Sequence, residues 1–62
     1  MRHDRYIGRH HYWIRFYNGM YEVRKTEKDN EYAPITNVFR GHYEECVKFI
    51  DEKAIEYLES LF

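Results

Sequence analysis

The sequence predicts an α+β domain in which a three-stranded antiparallel sheet is packed on one face by a C-terminal helix, in the order β-β-β-α. Three observations predict it. An Asn18-Gly19 pair separates two runs with period-2 patterning. A short apolar run, Ile35 to Phe39, follows Pro34. From Tyr43 onward, apolar residues recur at three- and four-residue spacing.

The hairpin comes first. Tyr12 to Tyr17 precedes Asn18-Gly19, and Met20 to Lys25 follows it. Asn-Gly suits a two-residue type I′ turn because both central positions need positive φ. A turn of that length fixes the register: Tyr17 faces Met20, Phe16 faces Tyr21, Arg15 faces Glu22, Ile14 faces Val23 and Trp13 faces Arg24. One face then carries Tyr12, Ile14, Phe16, Tyr21 and Val23, and is expected to be the core. The other carries Trp13, Arg15, Tyr17, Met20, Glu22 and Arg24, with a central opposite-charge pair and an aromatic–guanidinium pair.

Thr26 to Ala33 reads as a polar loop. Ile35 to Phe39 is the third strand, although adjacent Val38 and Phe39 break its alternation. Tyr43 to about Ser60 reads as a helix. Its stripe is Tyr43, Cys46, Val47, Ile50, Ala54, Tyr57, Leu58 and Leu61, with Phe49 and Ile55 beside it. Glu44 and Glu45 sit in the first turn, where unpaired N–H groups favour negative charge, and Glu44 can pair with Lys48. Residues 5–7 could add a short strand, but three residues decide little. Residues 1–11 are therefore an N-terminal arm, flexible or partly ordered, and residues 12–62 a single domain.

Composition limits the functions available. A chain of 62 residues has room for one domain and no enclosed cofactor site. Ten Ile, Leu and Val residues are few for a core, so the twelve aromatics must contribute to it. The formal net charge of -1 conceals an asymmetry: residues 1–28 sum to +4 and residues 29–62 to -5. A basic half facing an anionic partner is one consequence; mutual attraction of the halves is the other. Cys46 is the single cysteine, so no internal disulfide can form. With neither a secretory leader pattern nor a membrane-spanning run, a cytoplasmic setting is expected.

The exposed hairpin face is the main functional clue. One helix covers one face of a sheet, and a contiguous group of aromatic and basic side chains on the other marks an interface. The candidate partner-binding residues are Trp13, Arg15, Tyr17, Met20, Glu22 and Arg24. Candidate nucleic-acid contacts are Arg2, Arg5, Arg9, Arg15 and Arg24, where guanidinium groups would meet phosphates while rings stack on bases. Neither the histidines nor the thiol points to chemistry. His3, His10, His11 and His42 lack a ligand spacing, and adjacent His10 and His11 point to opposite faces of a strand. His42 and Cys46 are four apart, but Cys46 falls on the apolar stripe. No catalytic, cofactor or metal site is expected.

The run from Tyr12 to Leu61 resembles small β-β-β-α domains of phage and mobile-element proteins. The shared features are the aromatic-rich hairpin from Trp13 to Val23, the strand residues Val38-Phe39, and Tyr43-Glu44-Glu45-Cys46 leading into Phe49-Ile50. The arm-type DNA-binding domains of integrases look like this. That resemblance implies a sheet entering the major groove through Trp13, Arg15, Tyr17, Glu22 and Arg24. This chain departs from such domains in its central Glu22 and its negative net charge.

The expectation is a non-catalytic macromolecular interaction protein, without membrane or small-molecule substrate. Its hairpin face binds another protein or a second copy, as a homodimer. DNA or RNA binding through the same face and the basic arm is the alternative; a structural subunit of a larger assembly is the third.

Overall fold

A computed structural model describes residues 4–62 of the chain. It has a four-stranded antiparallel sheet in sequential order, followed by one helix. The strands are β1 (Asp4–Ile7), β2 (His10–Tyr17), β3 (Met20–Glu27) and β4 (Thr36–Gly41), and the helix is α1 (Tyr43–Ser60). The three-stranded expectation is thus corrected: the added strand is β1, and β2 begins at His10. Two residues, Gly8 and Arg9, join β1 to β2, and Ile7 pairs with His10. Gly8 has φ +60, while Arg9 is not among the positive-φ residues. Glycine at the first central position with that φ is the signature of a type II′ hairpin. A Cβ on Gly8 would lie 2.9 Å from the Tyr57 ring, so the helix also requires glycine there.

The β2–β3 hairpin has the register its turn dictates, from Tyr17↔Met20 through Trp13↔Arg24 and on to His10↔Glu27. Asn18 at φ 52 and Gly19 at φ 76 form the expected turn. β4 pairs with β3 through an irregularity: Val23 faces Phe39 while Arg24 faces Asn37, leaving Val38 as the extra residue. This bulge explains the broken alternation. Val38 and Phe39 both pack against the core cluster, and Phe39 stacks on Phe49 of the helix at 5.0 Å.

The core lies between one sheet face and α1. Ile7, Tyr12, Ile14 and Val23 from the sheet meet Cys46, Ile50 and Ala54 from the helix. Helix entry is fixed by Glu45, whose carboxylate accepts the backbone N–H of His42 at 3.0 Å. Two expected core contributions are weaker than the pattern implied. Phe16 points to the helix side but is 63% exposed, because it sits near the hairpin tip. The C-terminal half of the stripe, including Leu58 and Leu61, is largely exposed.

Candidate interaction face

The pleat of β2 and β3 sends alternate residues away from the helix. Cross-strand pairing arranges them in rows. Tyr6 lies beside His11; Asp4, Trp13, Arg24 and Asn37 form the next row; Arg15, Glu22 and Arg40 follow; Tyr17 and Met20 close the face near the turn. All six predicted partner-binding residues therefore share one surface. Among the described residues α1 is the only helix, and it packs on the opposite face.

Its charged centre is internally paired. The Arg15 Nε donates to Glu22 Oε1 at 3.2 Å, and the same guanidinium lies 4.5 Å from the Tyr17 ring centroid. Glu22 is 6% exposed, although no helix covers it. Arg40 stands opposite Glu22 in register, and its Nη2 donates to the Asn18 carbonyl oxygen at 3.3 Å, tying β4 to the hairpin turn. Arg24 differs: its Nε is buried and has no hydrogen-bond partner among the described residues. The aromatic–guanidinium contact on this face is Arg15 over Tyr17, while Trp13 and Arg24 stand opposite each other as the turn requires. Trp13 and Met20 are half-buried by their neighbours.

β1 enlarges the face beyond the six expected residues. Tyr6 stacks on His11 at 4.4 Å, and His11 lies 5.0 Å from Trp13, giving an aromatic row across two strands. His11 Nε2 lies 3.2 Å from Asp4 Oδ1, and Lys28 Nζ lies 5.9 Å from the Tyr6 ring centroid. Gly8-Arg9 was the available signal, because a II′ turn there aligns Tyr6 with His11.

Of the four described nucleic-acid candidates, Arg15 and Arg24 share the open face while Arg5 and Arg9 do not. Arg5 faces the helix side, where its Nη1 pairs with Asp51 Oδ1 at 2.6 Å. Arg9 occupies the β1–β2 turn. Arg15 is engaged with Glu22, and Arg24 is on the open face. Arg2 and His3 lie outside the described residues.

Cys46 is fully buried. Burial raises its thiol pKa; a hydrogen bond to the Gly41 carbonyl opposes that, and the Glu45 charge adds to the rise. That environment holds the thiol neutral and keeps it out of contact with solvent. Among the described residues, no three His, Cys, Asp or Glu side chains gather as a metal site, and no helix is long and apolar enough to cross a membrane.

The molecule is thus a small α+β domain with an aromatic cluster and basic residues on one open sheet face. No protein-family model, curated protein or solved structure matches the chain.

Proposed function

We propose that the chain is a non-catalytic interaction module whose open sheet face receives another protein. One observation carries the reading. Glu22 lies buried at the centre of the face and paired with Arg15. A phosphate backbone laid across this surface would meet a carboxylate at its middle, whereas a protein surface can match mixed charge flanked by apolar groups. Trp13, Tyr17 and Met20 supply the apolar anchors. Arg15 is already held by Glu22 and Tyr17, so little side-chain freedom remains to be lost on binding. Arg15 and Arg24 orient the partner.

Capture from native extract with the wild-type chain, a Trp13→Ala/Tyr17→Ala variant and an Ile55→Lys control tests this. The expected result is a protein retained by wild type and control, lost from the face variant, and still held when salt rises severalfold. Retention of nucleic acid that washes off steeply with salt would instead establish the phosphate-binding alternative. Equal capture by the face variant would refute the assignment of the surface.

A further inference from the structure

We infer that a second copy of this chain pairs along β1, joining two four-stranded sheets into one across a twofold axis. This surface adjoins the open face and shares only Tyr6 with it. β1 is an edge strand, and its hydrogen-bonding phase follows from its turn. Ile7 and His10 close a two-residue hairpin and are a hydrogen-bonded pair, so Arg5 and Tyr12 are the next one. The backbone N–H and C=O groups of Asp4 and Tyr6 therefore point outward. The other edge is protected: β4 carries the Val38 bulge and is preceded by Pro34. β1, short and charged at Asp4 and Arg5, has neither a bulge nor a proline.

The edge is self-complementary. Antiparallel pairing centred on Tyr6 lets each Tyr6 N–H donate to the Tyr6 carbonyl oxygen of the other copy, as an isologous contact requires. Both Tyr6 rings then lie on the open side, where each is 61% exposed in the single chain.

The helix side supplies apolar area. A groove of about 240 Å³ runs between β1 and α1, lined by Ile7, Gly8, Ala54, Tyr57 and Leu58 among others. The Arg5–Asp51 ion pair marks the helix flank that stands above β1. Ile55 and Leu58 continue that flank at helical spacing and are 56% and 54% exposed. With Tyr6 and Tyr57, the apolar area available is on the order of 400 Å² per copy. A standard stable interface uses about 800 Å² per partner, so this pairing is of the small class whose occupancy depends on concentration. The paired arrangement also places two open faces side by side.

Sedimentation equilibrium of the full chain from about 10 μM to about 1 mM tests it. The expected mass rises toward twice 7.8 kDa for wild type and for Trp13→Ala. It stays at the single-chain value for Ile55→Lys, an exposed position whose fold is checked by circular dichroism, and for Tyr6→Pro, which removes the outward N–H. If Tyr6→Pro fails to fold, Ile55→Lys decides the matter alone. A wild-type chain that stays at the single-chain mass throughout overturns the inference. So does doubling that survives Ile55→Lys, or doubling that Trp13→Ala abolishes.

Discussion

Truncating Arg15 should destabilise the domain more than neutralising its partner Glu22. The Glu22 side chain is 7% exposed and the Arg15 side chain 38%. Removing Arg15, as in Arg15→Met, strands a carboxylate that water reaches poorly. Losing one partner of a fully buried pair costs about 3–5 kcal/mol. The partial exposure of Arg15, and the presence of Arg40 across the strand, reduce this to about 1–3 kcal/mol. Glu22→Gln keeps the volume and leaves Arg15 a route to solvent, so its cost should stay within about 1 kcal/mol. These are large fractions of the total, since 62 residues imply roughly 3–9 kcal/mol of stability. In urea denaturation Arg15→Met should therefore lower the midpoint clearly while Glu22→Gln barely moves it. Each kcal/mol corresponds to about 4–8 °C in Tm for a domain of this size. Equal costs, or a larger one for Glu22→Gln, would refute the claim that the open face buries a charge its own arginine must satisfy.

Other outcomes follow from the same geometry. Gly8→Ala meets both a positive φ and the Tyr57 ring, so thermal denaturation should show a loss above about 1 kcal/mol. Gly19→Ala, with no atom within 4 Å of its added Cβ, should show the backbone cost alone and destabilise less. Ile50 is fully buried; Ile50→Ala should cost about 2–5 kcal/mol and leave much of the chain unfolded in circular dichroism at 37 °C. The raised thiol pKa of Cys46 means the unfolded chain loses that proton first. Its stabilising contribution is complete below the ordinary thiol value of about 8.5 and is lost as pH rises through the higher folded value. Urea midpoints measured from about pH 7 to about pH 10 should fall, and Cys46→Ala should flatten the early part of that fall; buried Tyr12, also raised chiefly by burial, adds its own decline at higher pH.

The strongest local signals were legible in the sequence because they are steric. Asn18-Gly19 admits few turns, so the pairing of Arg15 with Glu22 and Trp13 with Arg24 followed from counting. The helix and its buried stripe followed from spacing at Cys46, Ile50 and Ala54. β1 was not legible in the same way. It is four residues long, only Ile7 is buried, and its neighbours His10 and His11 do not read as strand formers. Gly8-Arg9 carried the missing information, but a lone glycine signals a II′ turn less strongly than Asn-Gly. The burial of Glu22 was also hidden. It depends on long side chains on neighbouring strands, including β4, whose bulge at Val38 no alternation rule places. The separation of Arg5 from Arg15 and Arg24 had the same origin: without β1, nothing assigned Arg5 to the helix side.

The most direct test of the open-face account is amide chemical-shift mapping of the labelled chain with the captured protein partner. The largest changes should fall on His11, Trp13, Arg15, Tyr17, Met20, Glu22 and Arg24, with those on Glu52 and Glu59 of the helix near zero. Changes concentrated on α1, with Trp13 and Arg15 unmoved, would contradict it.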